Sequence, residues 1–255
     1  EMACGEFGEG KMSSPRQIYV YLKNYFHKKN LVKKKNWRAI VTTGPTREYI
    51  DPVRYISNES SGKQGYEIAV ALNKLGIKTT LIAGPSNLTS YKGLKIKNIT
   101  SADEMLMEVK KLLPVDLAVC AAAVTDFKPI KKNKNKIKKE NMSLNSINFV
   151  KNNDILEYIS KINRHRPRLV AGFSAETENL KKNSISKLKK KHCDLIIAND
   201  VSQRDIGFNS DYNKVSVLDR EGNIKEIPKN KKSFIANKIA EILLNKLLIN
   251  DRNFN

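Results

Sequence analysis

Residues 117–127, LAVCAAAVTDF, are apolar at nearly every position, and that run limits the folds open to the chain. A strand with one wet face alternates apolar and polar residues. One that is apolar on both faces belongs in the middle of a parallel sheet covered by helices. The neighbouring segments agree. RAIVTTG at 38–44 predicts a short strand ending in glycine. Lys63–Leu75, with Ile68, Ala69, Leu72 and Leu75 at helical spacing and Gly76 following, predicts a helix with a glycine stop. TTLIAG (79–84) predicts a second strand, and Ser101–Leu113 a helix opened by a capping box of Ser101 and Glu104.

After the apolar run comes KPIKKNKNKIKKE (128–140), a lysine-rich stretch expected to be a mobile loop. The alternation then resumes: a strand at 146–150, a helix at 154–163, a strand at 168–176, a helix at 179–191 and a buried strand, DLIIAND, at 194–200. Residues 214–228 predict a hairpin turning at Glu221, Gly222 and Asn223, and 231–248 a closing amphipathic helix. The expected fold is α/β: a doubly wound, mostly parallel, Rossmann-like sheet flanked by helices, with a C-terminal β-hairpin. Ligands of such sheets sit at the carboxyl ends of the strands, here TTGPTRE, AAAVTDF, GFSAE and ANDV.

With 255 residues the chain can bury the core of one large or two small domains, and the alternation of strand-like and helix-like segments favours one. It has no apolar run near the roughly 20 residues that span a bilayer and no charged-then-apolar leader, so a cytoplasmic protein with no membrane partner is expected. Cys4, Cys120 and Cys193 fit neither a disulfide framework nor a zinc site. The formal net charge of +21 raises the alternative of a nucleic-acid-binding module. Against it, lysine is spread along the chain, asparagine is abundant too, and no basic-aromatic array occurs. Compositional bias and anionic small-molecule ligands explain the charge without nucleic acid.

RYISNESSGKQGYEIA (54–69) places a Gly-Lys pair at the mouth of a helix, as a phosphate-binding loop does. Yet Ser57 and Gln64 stand where that motif needs Gly and Ser or Thr. The dinucleotide fingerprint GxGxxG is also missing, because the first strand is followed by Gly44-Pro45-Thr46-Arg47-Glu48. The YxxxK pairs Tyr19/Lys23 and Tyr25/Lys29 precede that strand, so a nicotinamide oxidoreductase is the weaker class. What the loop offers is a dense set of small donors, Thr46, Asn58, Ser60, Ser61, Gly62 and Lys63, leading into a helix N-terminus that favours anions. The plainer alternative is that Ser60 or Ser61 only caps the helix.

GPTREYIDPVRYISNESSGKQGYEIA (44–69) resembles the opening motif of phosphopantothenoylcysteine synthetase. The likeness continues in order through AAAVTDFKP (121–129), KIKK (136–139), VKNNDIL (150–156), GFSAETENL (172–180), and ANDVS with GFNSDYNKV (198–215), covering nearly all of 38–248. The resemblance implies ligation of 4'-phosphopantothenate to cysteine in coenzyme A biosynthesis. The carboxylate attacks the α-phosphate of a nucleotide, CTP in the bacterial type, pyrophosphate leaves, and the cysteine amine displaces CMP from the acyl-cytidylate. It also implies Mg2+ with the triphosphate, and a homodimer whose neighbouring subunit helps complete the site.

Carried over residue by residue, the resemblance makes Asn58 and Lys136 catalytic, Asn58 by hydrogen bonding the substrate and acyl intermediate and Lys136 by offsetting phosphate charge from a closing loop. Ala122, Ala123 and Asp126 join Asn58 at the acyl substrate, and Asp126 is also a candidate metal ligand. Nucleotide contacts fall to Gly44, Thr46, Ser60, Ser61, Gly62, Lys63, Asp126, Lys136, Asn152, Asn153, Asp154, Ile155, Phe173, Lys187 and Lys191. Phe173 would pack on the pyrimidine, or simply belong to the core. Lys187 and Lys191, four apart on one helix face, would reach the triphosphate. Asn153 departs from the family's NPDI motif, which has Pro there. Residues 1–35, with Cys4 in an ACG loop and Lys11 where Arg is usual, resemble the end of phosphopantothenoylcysteine decarboxylase plus a linker. FMN would belong only to that missing domain, with the synthetase domain at 36–250.

Overall fold

The computed structural model describes residues 12–138, 147–176, 178–200 and 210–253. Cys4, Lys11, Lys139 of the KIKK motif and residues 201–209 of the later motifs lie outside them. The chain divides into two compact units, the first ending at Asn36 and the second Trp37–Asn255. In the first, α1 (Pro15–Lys35) begins with Pro at its first position and a reciprocal cap between Ser14 and Gln17, two devices that satisfy the open donors of a helix start.

The second unit is built on an eight-stranded sheet of order β12-β11-β10-β9-β6-β1-β4-β5. Its strands are β1 (Arg38–Thr43), β4 (Lys78–Ala83), β5 (Lys95–Asn98), β6 (Leu117–Cys120), β9 (Leu169–Glu176), β10 (Leu195–Asp200), β11 (Tyr212–Asp219) and β12 (Ile224–Lys231). From β5 to β10 neighbours are parallel, and β11 and β12 add an antiparallel hairpin. The chain first winds outward from β1 through β4 to β5, then returns to the middle and winds the other way through β6, β9 and β10. The order therefore reverses between β1 and β6, the point at which the ligand crevice of such a sheet lies.

Side chains of a strand alternate between faces, and both faces are covered. On one side α3 (Ala102–Leu112), α4 (Ile155–Lys161) and α5 (Leu180–Lys191) bring Met105, Val109, Ile159 and Leu188 against Ile40, Ile82, Val170 and Ile196. On the other, α2 (Lys63–Lys74) and α6 (Lys232–Asn253) pack on the sheet and on each other. Ile235, Ile239, Leu243 and Leu247, spaced at four, form the buried stripe of α6.

Four expectations change in detail. The strand expected at 146–150 is β8 (Phe149–Lys151), which pairs antiparallel with β7 (Phe127–Pro129) in a small sheet of its own instead of joining the main one. Within the run 117–127 the main-sheet strand therefore ends at Cys120, and Phe127 already belongs to β7. Beyond Cys120 β1 has turned away at Gly44, and Ala121 and Ala123 bond instead to Thr42 and Gly44 carbonyls at 3.1 and 2.9 Å. At α3, Ser101 caps Glu104 N–H, but the Glu104 carboxylate takes the Thr100 N–H at 2.7 Å, so the capping box is not reciprocal. The lysine-rich stretch is strapped down as far as it is described. Asn133 N–H reaches the Ile50 carbonyl at 2.9 Å, Arg54 Nη2 the Ile137 carbonyl at 2.9 Å, and Ile137 N–H the Asp51 carboxylate at 3.3 Å.

That strap hangs on a small antiparallel arm, β2 (Arg47–Tyr49) with β3 (Tyr55–Ser57). Asp51, fully buried at the turn of the arm, also accepts from Val53 and Arg54 N–H and from the Arg54 guanidinium. Burial pushes its carboxyl up, but these donors outweigh burial and hold it well below the usual carboxylate range. A depressed folded-state pKa gives stability that is present above the unfolded value and lost as pH falls. Asp51→Asn is therefore expected to lower the melting temperature at pH 7. The gap to the parent protein should narrow as thermal melts are taken from pH 5 towards pH 2, and a gap independent of pH would remove this role.

Candidate active site

The crevice between β1 and β6 holds two joined hollows. The larger, about 400 Å³, lies at the start of α2, and its wall includes Asn58, Ser60, Ser61, Gly62, Lys63, Ala122 and Ala123. The smaller, about 180 Å³, is walled by Asp126, Asn152, Asn153, Asp154 and Ile155 among others. Ala122, Phe173 and Lys187 border both.

Backbone geometry makes the larger hollow receptive to anions. The residue before α2 is Gly62, at φ +73°, and no side chain caps the helix. Ser60 Oγ accepts the Gly62 N–H at 3.2 Å, so it orders the loop one step before the helix rather than capping it. The first-turn N–H groups of α2 thus have no side-chain cap, and a helix start of this kind favours negative charge. Thr43 Oγ1 donates to the Gly62 carbonyl at 2.6 Å, tying the loop to the end of β1. One turn on, Gly65 lies so close to that strand that a Cβ would stand 2.4 Å from Thr43 Oγ1.

Asn58 Nδ2 donates to the Val124 carbonyl at 3.0 Å, spanning the crevice. In the smaller hollow, Asn152 Nδ2 donates to the Thr125 carbonyl at 2.8 Å, and its buried Oδ1 has no hydrogen-bond partner. Asp154 caps α4 through Glu157 N–H and pairs with Lys191 at 2.7 Å. Lys191 also reaches Glu157 at 3.0 Å, so it is engaged in fixing α4 to α5. Cys120 borders the same hollow, but burial pushes its thiol up to about 12, which makes it no nucleophile at neutral pH.

Four predicted site residues stand outside both walls. Thr46 is buried, bonded to Thr125 Oγ1 at 2.8 Å, and bolts the loop after β1 to the loop after β6. Gly44 forms the turn beside Gly62. Lys191 is the ion-paired residue just described, and Lys136 is exposed on the strap. The structure adds wall residues that sequence reading missed: Gln64, Gly65, Asn199, Asn213 and Lys232. Gln64 links them, accepting from Asn213 Nδ2 at 3.1 Å and donating to the Lys232 carbonyl at 3.4 Å. The Lys63 ammonium pairs with Asp211, while Lys232 is only 4% exposed. Burial and the Lys63 charge push the Lys232 ammonium down to about 8.

Among the described residues no group of three or more His, Cys, Asp or Glu could hold a metal ion. Asp126 offers one exposed carboxylate. That suits Mg2+ arriving with a nucleotide, which keeps waters and phosphate oxygens and needs one or two carboxylates.

A family model described as the DNA/pantothenate metabolism flavoprotein C-terminal domain matches residues 34–247. The chain belongs to this family. It is 40% identical over 242 residues to the coenzyme A biosynthesis bifunctional protein CoaBC of Haemophilus influenzae, covering 94% of this chain and 59% of that protein. With its namesake in Escherichia coli it shares 37% identity over 249 residues, 96% of this chain and 59% of the relative. It thus spans about three fifths of these relatives. A solved structure of the C-terminal domain of CoaBC is 31% identical with a TM-score of 0.69, covering 84% of this chain and 96% of that one. Cab2 in complex with phosphopantothenate-cysteine, 16% identical with a TM-score of 0.69 and covering 94% of this chain and 97% of its own, shares the fold. Among the described residues no helix is long and apolar enough to cross a membrane.

Gly65→Ala tests the close approach of α2 to β1. The added methyl meets Thr43, which is held by its own hydrogen bond, so a loss of about 1–3 kcal/mol is expected, the usual range for overpacking. Denaturant melts measure it, and an unchanged midpoint would show that α2 can shift freely.

Proposed function

We propose that the second unit is a CTP-dependent phosphopantothenate-cysteine ligase of coenzyme A biosynthesis. The observation that carries this reading is the pair of joined hollows at the reversal of the sheet: one opens on an uncapped helix start, and they share a wall of Ala122, Phe173 and Lys187. A reaction that joins a phosphorylated acid to a nucleotide needs two anion seats with a common border. Relatives named for coenzyme A biosynthesis at about 40% identity support the substrate class.

In the first step the carboxylate of 4'-phosphopantothenate attacks the α-phosphate of CTP, and pyrophosphate leaves. Lys187 at the shared wall offsets charge on the phosphoryl oxygens, and Lys136, exposed on the strap, adds a second cation. Asn58, oriented by Val124, holds the acyl group. Ala122 and Ala123 let the pantothenate arm lie close to the backbone, and Phe173 gives the cytosine a flat apolar contact. In the second step the cysteine amine attacks the acyl carbon and CMP departs. Asp126 would help hold Mg2+ brought in by the triphosphate, and the ion would supply charge neutralisation there. The protein acts in the cytoplasm as a homodimer, residues 1–35 being the tail of an FMN-dependent decarboxylase domain and its linker.

Pyrophosphate release with CTP, 4'-phosphopantothenate and cysteine tests the class; no release with any nucleoside triphosphate sinks it. Lys136→Gln should slow acyl-cytidylate formation by about 10²-fold, the effect of losing one charge-stabilising donor, and an undiminished single-turnover rate removes the residue from the first step. Asn58→Ala should let the acyl-cytidylate accumulate or escape, visible in quenched-flow analysis; unchanged partitioning argues against its role.

A further inference from the structure

Thr46 was expected among the nucleotide contacts, yet it is fully buried and stands outside both walls. What it touches gives it another part. Its hydroxyl accepts the Thr125 N–H at 3.1 Å and meets the Thr125 hydroxyl at 2.8 Å, and its carbonyl accepts from Ser57 Oγ at 2.8 Å. We propose that Thr46 and Thr125 are positioning residues of the ligation: the pair holds Asn58 and Asn152, one in the wall of each hollow, at the separation that lets carboxylate and α-phosphate meet. The inference rests on the ligase reading and deepens it.

A closed ring of bonds runs through Thr46. Ser57 is joined to Asn58, Asn58 Nδ2 donates to the Val124 carbonyl at 3.0 Å, Val124 is joined to Thr125, and the Thr125 N–H returns to Thr46. Moving the Asn58 amide therefore breaks a bond elsewhere in the ring. The next carbonyl along, that of Thr125, takes Asn152 Nδ2 at 2.8 Å. Two successive carbonyls thus hold the two amides, and Thr46 holds the residue that carries the second. The aim of Asn152 matters, because its buried Oδ1 has no hydrogen-bond partner and a buried acceptor asks for a donor.

The backbone does not secure this segment by itself. Ala123 N–H reaches the Gly44 carbonyl at 2.9 Å and Thr46 N–H the Ala123 carbonyl at 3.3 Å; past Ala123 the Thr46 hydroxyl continues the link. The loop after β1 is the fixed side. Gly84 lies so close behind it that a Cβ there would stand 1.8 Å from the Pro45 carbonyl oxygen. Residues 124–126, which carry both carbonyls and Asp126, are the side that the hydroxyl pair secures. A hydroxyl donates and accepts at once, so one Thr46 oxygen can take the Thr125 N–H and also bond Thr125 Oγ1. Valine in its place keeps the shape and loses both bonds, whereas serine keeps both bonds and loses a methyl. A shift of about 1 Å at a reacting centre costs on the order of 10²-fold in rate, and binding in two separate hollows does not fall with it.

Single turnovers of the intact chain with saturating Mg-CTP and 4'-phosphopantothenate, read by quenched flow as acyl-cytidylate formed, test the assignment. Calorimetry measures the two affinities separately. Thr46→Val should slow the step by about 10²-fold and leave each affinity within about threefold, the split expected of an interaction that matters only to the step itself. Thr46→Ser should recover the parent rate to within about threefold, since both bonds remain. A Val variant as fast as the parent, a Ser variant as slow as the Val variant, or a lost affinity that accounts for the slower rate overturns the proposal. If Thr46→Val does not melt cooperatively, Thr125→Val carries the test, because the N–H of residue 125 stays on the Thr46 hydroxyl. A step about tenfold slower is then expected from the one lost hydrogen bond, and an unchanged rate overturns the role. Where both variants fold, the double variant should be no slower than Thr46→Val alone, and effects that multiply would show that the two act separately and overturn the pair. A parent protein that forms no acyl-nucleotide with any nucleoside triphosphate brings down the ligase reading and this one with it. A parent that reacts, matched by its Val variant, removes the positioning role only.

Discussion

The start of α2 is the constraint on which the rest of the site depends. A helix that begins without a cap leaves backbone donors to be satisfied by water or ligand, and this one begins where the sheet reverses order. Its position is held from both sides. Gly65 permits contact with Thr43, Thr43 in turn holds the Gly62 carbonyl, and Gln64 ties the first turn to Lys232 and Asn213. Moving α2 away from β1 would break the last two links, and bringing it closer is blocked by Thr43. The N–H groups are therefore aimed before any ligand arrives, which lowers the cost of ordering an anion there.

Much of the fold was legible because it follows from local periodicity. The apolar run from Leu117 marks a strand buried on both faces, and β6 does lie between β1 and β9. The helix stop at Gly76, which takes a positive φ of 93°, follows from a short-range signal. What was not legible depends on distant partners. Residues 121–124 are as apolar as 117–120, but the strand ends at Cys120 and only a single bridge, Pro45 to Ala123, continues the pairing past the turn at Gly44, seventy-odd residues earlier in the chain. The arm of β2 and β3 was missed because three-residue strands carry no measurable period, and the lysine-rich strap looks loose until Asp51 and Arg54 are seen to hold it.

The site divides in the same way. Contiguous segments, 58–63, 122–123 and 152–155, were found as segments and do line the hollows. Lys232 was invisible: in a chain with 47 lysines and arginines, a lysine at the head of an amphipathic helix looks like a solvated one. Only the return of α6 across α2 buries it. Asn199 was read as part of a motif, but its unpartnered carbonyl oxygen is a property of the folded wall. Conversely, Lys191 shares a helix face with Lys187, yet Asp154 and Glu157 are close enough to engage it, a contact that spacing within α5 alone does not reveal.

On the proposed reading the crevice has to manage two polyanions, and charge placement rather than net charge decides how. Unit charges about 4 Å apart interact by roughly 4 kcal/mol at a protein-like dielectric, so substrates brought together unscreened would repel strongly at the point of reaction. The walls counter this unequally. Lys63, Lys232 and the helix start bring positive charge to one hollow, set against Glu59 in its wall and the Asp211 carboxylate paired with Lys63. The other mixes Lys187 with Asp126 and Asp154, which favours an anion carrying its own cation. A hollow that is basic throughout would attract either substrate and discriminate poorly between them. Carboxylates beside one hollow and an uncapped helix start beside the other set the two apart in charge, and Lys187 stands at their border.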